Sequence, residues 1–579
     1  MVPRAHRLPL ASWLALLALM IGLALSIPAA SQVSQLQYAT YLGGSGRDVG
    51  YAVAAGPDGT SYIAGITRSP DFLQLTGPFE GPPPEEYGTR LFVLALDAQG
   101  HLLYSTSITS APDPYVLEPT GIAVGPDGSA YVSYTLYGDD WFFGYAVRIS
   151  PSGEILYRHG LPGYSAPQGI AVDDQGNVYV AGYIETGQYG PSPTFLGRAA
   201  FVTKFPANAA QGFQIYFDGS GEEQANAVAL DAEGNVYLTG FTDSPDFPSS
   251  SPVQRRGEDA FVIRIDPESG EALYVTELGG SGDDRGTDVT VDPQGNVFVT
   301  GTTTSPHLPL TGPHQPPASG SNFFLTRLSA TGDPVSSRYV GPIPLWRNTS
   351  APAISLGPEG DVFWMGFLAN IPPEDPSGLF CEGTAILRFD PDRLGLLDHF
   401  CYFTAIAEDI DIDPDGYLYI TGWALDDFTT TPGALQPFHG GWVEAFAAKL
   451  LLNRSPDCSN AKPNPSTLWP PSGKLVSVAL QGVTDPDGDP VTLKITGIRQ
   501  DEPLSRNGEP DAIGLGAPIA QVRADRKGGG DGRVYHLSFE AQDDKGAACT
   551  GTVKVCVPHN QRPGAACGDG GPLFDSTAK

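Results

Sequence analysis

The segment AVALDAEGNVYLTG, Ala227 to Gly240, constrains this chain more than any other because it recurs. Relatives begin at Ala52 (AVAAGPDGTSYIAG), Gly121 (GIAVGPDGSAYVSY), Gly169 (GIAVDDQGNVYVAG), Asp288 (DVTVDPQGNVFVTG), Ala353 (AISLGPEGDVFWMG) and Asp409 (DIDIDPDGYLYITG). Each reads as a short strand, a tight turn ending in glycine, and a second strand rich in Val, Tyr and Ile. The turn glycines are Gly59, Gly128, Gly176, Gly234, Gly295, Gly360 and Gly416. A repeat of this length made only of strands builds a propeller or a β-solenoid, because one unit cannot bury its own apolar face.

The order inside each unit favours the propeller. After the hairpin come a variable loop, a third strand such as AFVIRID (Ala260 to Asp266) and a fourth such as ALYVTELGG (Ala272 to Gly280). Four antiparallel strands repeated seven times predict an all-β fold, a seven-bladed β-propeller over residues 34–453. In the first strand of each unit the positions six and four before the turn glycine are apolar, from Val53 and Ala55 to Ile410 and Ile412. The alternate positions are mostly Ala, Gly, Ser or Thr, as crowding near a common axis requires. The last unit supplies only three strands, ending in AFAAKLL (Ala445 to Leu451), while QYATYLGG (Gln37 to Gly44) precedes the first unit as an orphan. The orphan is expected to complete the last blade, closing the ring and removing its open edges.

YATYLGGSGRD, AVAAGPDG, SYIAG and SPDF, taken together, resemble the bacterial seven-bladed β-propeller repeat family. SPDF occurs at Ser69–Phe72 and Ser244–Phe247, with SPHL at Ser305–Leu308. LGGSG occurs at Leu42–Gly46 and Leu278–Gly282, with FDGSG at Phe217–Gly221; the second, third and sixth units lack it and are diverged. The resemblance covers about Tyr38 to Leu452. It implies a secreted or surface-exposed protein with no general enzymatic signature. Residues 458–559 alternate apolar and polar positions in short runs, which predicts an immunoglobulin-like β-sandwich. The run LWPPSGK, VTDPDGDPVT, GRVYHLSFEAQDDKG and VCVPH resembles a domain that closes many secreted bacterial proteins. The Gly-rich stretch 560–579 reads as a flexible tail.

The chain carries a net charge of −32, with Lys+Arg 33 against Asp+Glu 65. Such a field repels nucleic acid and anionic lipid, and it attracts cations. Arg4 and Arg7, an apolar run from Leu10 to Ile27, and PAASQ read as a secretory signal peptide over residues 1–31. The run is close to spanning length, so an uncleaved anchor is the alternative; no other segment has the length to span a membrane. Six cysteines, all after Gly378, fit an oxidising compartment. Cys381 and Cys401 flank a hairpin and are expected to bridge it. Cys458, Cys549, Cys556 and Cys567 allow three connectivities, of which Cys458–Cys549 with Cys556–Cys567 is favoured.

Four groups of residues are candidates for a site. Asp485, Asp487 and Asp489 alternate along a short loop, a spacing that can supply oxygens to Ca²⁺ or simply form an Asp-Gly turn. No Glu follows at the EF-hand distance, so calcium is the one candidate cofactor and not a firm one. Asp48, Glu223 and Asp284 lie eleven residues before turn glycines, in loops that read as a partial acidic rim or as solvated crossovers. Asp409 and Asp411, with Asp288, stand where other units have small residues. Buried carboxylates there must be hydrogen-bonded, paired or functional, and bonding to neighbouring backbone is the favoured reading. Trp141, in the aromatic loop from Tyr137, is placed either to stack on a sugar or to pack between blades. There is no GxSxG elbow, HExxH, P-loop or nucleotide-binding glycine motif. The expectation is a non-enzymatic scaffold that binds a surface glycan or protein through its long-loop face. The alternatives are an exported hydrolase or lyase with acids at the channel mouth, and a structural envelope protein with no small ligand.

Overall fold

The computed structural model describes residues 35–73, 89–108, 116–138, 141–186, 197–207, 212–249, 257–306, 308, 320–343, 351–368, 384–402, 405–504, 509–528, 531–560 and 567–578. The expected signal segment, Cys381 and its expected bridge lie outside the described residues. The described chain divides between Leu452 and Asn453 into two units.

The first unit contains, among the described residues, seven four-stranded antiparallel sheets. Their first strands are Asp48–Ala55, Val116–Val124, Ser165–Val172, Glu223–Leu230, Asp284–Val291, Ala353–Leu356 and Ala405–Ile412. The recurring letters D-x-x-G-N-V-Y have a direct physical cause. Asp231 Oδ1 accepts the backbone N–H of Glu233 and Asn235 at 3.1 and 2.8 Å, while Oδ2 accepts Asn235 Nδ2 and the Tyr237 hydroxyl at 2.8 and 2.9 Å. Asp173 and Asp413 repeat the scheme. The turn glycine takes a left-handed conformation, with φ of 83° at Gly234, which side chains disfavour. Arg264, from the third strand, lays its guanidinium 5.5 Å above the Tyr237 ring and 3.5 Å from Asp231. These aspartates are consumed by turn geometry.

Apolar residues from adjacent sheets interlock to form the core. One cluster joins Tyr179, Ala181 and Val202 of the third sheet to Leu238, Phe261 and Ile263 of the fourth. Each fully buried side chain of this kind contributes about 1.5–3 kcal/mol. Gln35–Leu42 pairs with Glu444–Leu451 of the seventh sheet, Ala39 opposite Ala448. The inner strand of the seventh sheet also bonds that of the first. The N–H of Val53 donates to Asp409 Oδ2 and that of Ala55 to Asp411 Oδ2, both at 2.8 Å. The row of sheets is therefore a closed ring.

Among the described residues, the second unit has two four-stranded sheets. Val478, Ile495, Val522, Tyr535, Leu537 and Val555 are among the buried residues of its core. Cys458 is bonded to Cys549, and Cys556 to Cys567, with Cα separations of 6.0 and 5.8 Å. Residues 567–578 do not trail as a flexible tail. Phe574 and Asp575 pair with Gln500 and Arg499, and Ser576 is buried. The Cys556–Cys567 bond anchors this segment, an effect that Gly-rich composition does not register. Among the described residues, no helix is long and apolar enough to cross a membrane.

Candidate binding site at the channel mouth

Six of the seven inner strands carry a β-bulge at the same place. The register against the second strand slips between Gly50 and Ala52, Pro119 and Gly121, Pro167 and Gly169, Ala225 and Ala227, Gly286 and Asp288, and Ala407 and Asp409. The residue skipped in each case is Tyr51, Thr120, Gln168, Asn226, Thr287 or Glu408. A bulge leaves one residue out of the ladder and re-aims its side chain. All six line a single cavity of about 630 Å³, and Pro352, at the matching position of the sixth sheet, lines it as well. Eight residues before the turn glycine is thus the position that faces the axis. The cavity opens where the inner strands begin, at the crossover end. The hairpin turns lie at the other end, around Pro293, Pro358 and Pro414.

Two of the bulged residues also bond to the next sheet, and a third bonds within its own. Asn226 Nδ2 donates to the Gly286 carbonyl at 2.7 Å, and Thr287 Oγ1 to the Pro352 carbonyl at 3.1 Å. Glu408 Oε1 accepts Trp423 Nε1 at 3.1 Å. The sequence carries a signal for this ring: polar Tyr, Thr, Gln, Asn, Thr and Glu recur at one offset, each preceded by Gly, Pro or Ala. Reading only the six and four offsets misses it.

Asp48, Glu223 and Asp284 form neither a rim nor a solvated crossover: each is 0% exposed. Asp48 Oδ2 accepts the N–H of Gly44 at 2.9 Å and the Ser69 hydroxyl at 2.7 Å, and Ser69 Oγ accepts the N–H of Gly46 at 2.8 Å. Asp71 accepts both the N–H and the hydroxyl of Ser45 at 2.8 Å. Glu223 repeats this with Gly219, Thr242 and Ser244, and Asp284 with Gly280 and Ser305. LGGSG and SPDF are therefore two halves of one clasp, joined by the buried acid. A Cβ on Gly44 would lie 2.7 Å from both Asp71 Oδ1 and Ser69 Cβ, so the close approach demands glycine. Phe72 completes the clasp by stacking on Phe92 at 4.6 Å. Burial pushes all three carboxyls above the usual range, and the hydroxyl and backbone donors only partly offset it.

Asp288, Asp409 and Asp411 sit in the inner strands, half-buried. Asp288 accepts the N–H of Val289 and, across the sheet boundary, of Ile354, both at 2.8 Å. Asp409 and Asp411 likewise accept their own following N–H groups, those of Ile410 and Ile412. Each acid thus stitches neighbouring inner strands together. Burial raises Asp288 to about 7 and Asp411 to about 6, and it raises Asp409 well above the carboxylate range. Asp288 and Asp409 also line the cavity.

Trp141 is half-buried, 5.2 Å from the Phe143 ring. Phe143 stacks on Tyr164 at 5.6 Å, and Phe142 lies 5.9 Å from Tyr183 of the third sheet. This aromatic group seals the second sheet to the third. Asp485, Asp487 and Asp489 place one carboxylate oxygen each within 4.8 Å of one another. Two of the three are already paired: Asp487 Oδ1 with Arg454 Nε at 2.8 Å, Asp489 Oδ2 with Lys545 Nζ at 2.7 Å. A calcium ion in that loop would compete with both cations for the two carboxylates.

Two stretches, residues 159–185 and 273–309, match the family model described as beta-propeller repeat. No curated protein matches the chain. A solved structure described as the Dos1 propeller is similar at a TM-score of 0.40 and 12% identity, over 73% of this chain and 97% of its own. A protein of unknown function from Dyadobacter fermentans gives 0.35 and 10%, over 73% and 100%. One from Bacteroides caccae gives 0.27 and 12%, over 52% and 93%. These likenesses are remote. The β-propeller repeat rests on the family match and on the strand pairing described above.

Proposed function

We propose that this chain is a secreted or cell-surface scaffold that binds a glycan or protein ligand at its channel mouth and performs no chemistry on it. In this reading the first unit is a seven-bladed β-propeller and the second an immunoglobulin-like β-sandwich. The observation that carries it is the convergence of Tyr51, Thr120, Gln168, Asn226, Thr287 and Glu408 on one cavity. A bulge at the same register in six sheets delivers a side chain from each to the same space, and only Asn226 and Thr287 are shown above to use theirs in bonding the next sheet. The two disulfides among the described residues fit an oxidising compartment. A hydrolase using Asp284 is disfavoured, since that carboxyl is walled in by its clasp and has no access to a substrate.

The test is binding of the protein to a panel of polysaccharides and to isolated cell envelope. Saturable binding is expected, and the double variant Gln168→Ala, Asn226→Ala is expected to lose it with little change in melting temperature. Full binding by a folded double variant would place the ligand elsewhere.

A further inference from the structure

Neighbouring inner strands meet in two ways. At some places an aspartate of one sheet accepts an N–H of the next: Asp409 and Asp411 of the seventh take those of Val53 and Ala55, and Asp288 of the fifth takes that of Ile354. Ile170 and Val228 stand at the register of Val53, opposite Val180 and Leu238 as Val53 stands opposite Ile63. Their N–H groups therefore face the preceding sheet as well, but there they meet glycine. The Ile170 nitrogen is 3.4 Å from where a Cβ of Gly121 would sit, and the Val228 nitrogen 3.2 Å from that of Gly169. Glycine supplies no side-chain acceptor, and a backbone N–H requires one from some source. Gly121, Gly169, Ile170 and Val228 all line the cavity at the channel mouth. Two backbone donors thus open onto it, with the Gln168 amide beside them.

The charged groups of the cavity are engaged by the protein itself. Glu258 holds Arg285, with Oε1 2.6 Å from Nη2, and the charge of Glu222 acts on the same guanidinium. Arg198 lies 4.4 Å over the Tyr183 ring, and Glu408 accepts the Trp423 indole N–H. Asp288 and Asp409 give their oxygens to inner-strand N–H groups, and burial favours their protonated forms. What the cavity holds out to a ligand is therefore uncharged: backbone N–H, amide and hydroxyl.

Provided the channel mouth is the binding site proposed above, the geometry points to an uncharged polyhydroxyl ligand, the end of a neutral glycan, whose oxygens accept from the Ile170 and Val228 N–H groups beside Gly121 and Gly169. A ligand oxygen takes there the place that a carboxyl oxygen of Asp409 takes beside Val53. An anion would also supply acceptors, but the net charge of −32 repels it. A hydroxyl both donates and accepts, so it answers either end of the Gln168 amide as well as the Tyr51 hydroxyl. A volume of about 630 Å³ falls within the range of small-ligand sites.

The test titrates the full chain calorimetrically with neutral oligosaccharides of glucose, galactose, mannose, xylose and N-acetylglucosamine, and with two charged ones, an oligogalacturonate and a deacetylated chito-oligosaccharide. A neutral probe is expected to bind at least roughly tenfold more tightly than either charged one. Its affinity should hold as salt is raised, since there is no charge to screen. Gly169→Asp copies Asp409 and sets a carboxyl against the Val228 N–H, while Gly169→Ala places there the methyl that Ala52, Ala227 and Ala353 carry in other sheets. Both variants are expected to fold with little change in melting temperature and to weaken binding at least roughly tenfold. Binding of a charged probe or of a cell-envelope protein in place of the neutral sugars, lost in the Gln168→Ala, Asn226→Ala double variant, would keep the channel mouth and overturn the neutral glycan. Neutral binding that is lost in that double variant but untouched by both Gly169 variants would overturn the role of the backbone donors. Binding untouched by any of these variants would overturn the channel mouth as the site, and no binding by any probe would overturn the neutral glycan as well.

Discussion

The first, fourth and fifth sheets fasten their crossover loops with a buried acid, whereas the boundary between the second and third sheets is fastened with aromatic rings. Asp48, Glu223 and Asp284 each gather backbone N–H groups and hydroxyls from two motifs about twenty residues apart. At the aromatic boundary, Phe142, Phe143, Tyr164 and Tyr183 hold neighbouring strands by ring contact. The mechanical task is the same. The first solution is specific and high in consequence, because removing the acceptor strands several buried donors at once; the second is additive, and each ring contributes its own area.

The largest effect that can test this contrast is Glu223→Ala. It leaves the hydroxyls of Thr242 and Ser244 and the N–H of Gly219 without their acceptor, and should destabilise the protein by about 3 kcal/mol or more. Thermal unfolding followed by near-ultraviolet dichroism should show a midpoint several degrees lower, and an unchanged midpoint would break the comparison. Phe143→Ala should cost about 1–2 kcal/mol by the same measurement, because the ring is 38% exposed and its loss removes area without stranding a donor.

Buried acids of the inner strands and of the clasp also titrate, with their protons held above the usual carboxylate range. Asp288 holds its proton up to about 7 when folded against 3.8 otherwise, so between those values the folded state binds more protons than the unfolded one. Its contribution is whole below about pH 4 and is lost as the pH rises through 7. Asp288→Asn should therefore remove a loss of stability between about pH 4 and about pH 7.5, measured as a midpoint that falls less over that interval in the variant than in the parent protein. Burial raises Asp48, Glu223 and Asp284 in the same direction. The smallest effect is expected of Ser45→Ala. It removes one exposed hydroxyl bond to Asp71 and keeps the backbone one, for about 0.5 kcal/mol. A loss as large as that of Glu223→Ala would move the centre of the clasp from the buried acid to its exposed edge.

Much of this architecture was legible in the letters. Strand, turn and strand follow from D-x-x-G-N-V-Y, and the count of strands in the last unit assigned Gln37–Gly44 to its edge. The clasp was half legible. LGGSG, SPDF and the acids were each visible, but an Asp in a Gly-rich loop looks solvated until a second motif is known to cover it. The ring of bulged residues was not read. A bulge alters backbone register by one residue, so the polar residues that recur at this offset look like breaks in the pattern, and an alternation rule applied straight through it assigns Tyr51 and Gln168 to the wrong face. Residues 567–578 were misread for a related reason, since one covalent bond outweighs a composition that otherwise favours disorder.

The pairing of Gln35–Leu42 with Glu444–Leu451 sets a schedule as well as a shape. The bond from Ala39 N–H to Thr431 Oγ1 spans 392 residues. Contacts this distant in sequence form slowly. A chain made from its N-terminus must carry its first strand unpaired while six sheets assemble behind it. The ring can lock only when the last sheet arrives, so every earlier stage retains two unsatisfied edges that invite pairing with another chain. Maturation of this protein is in that sense a single late event, and whatever shields the waiting strand until then decides how much of the product is sound.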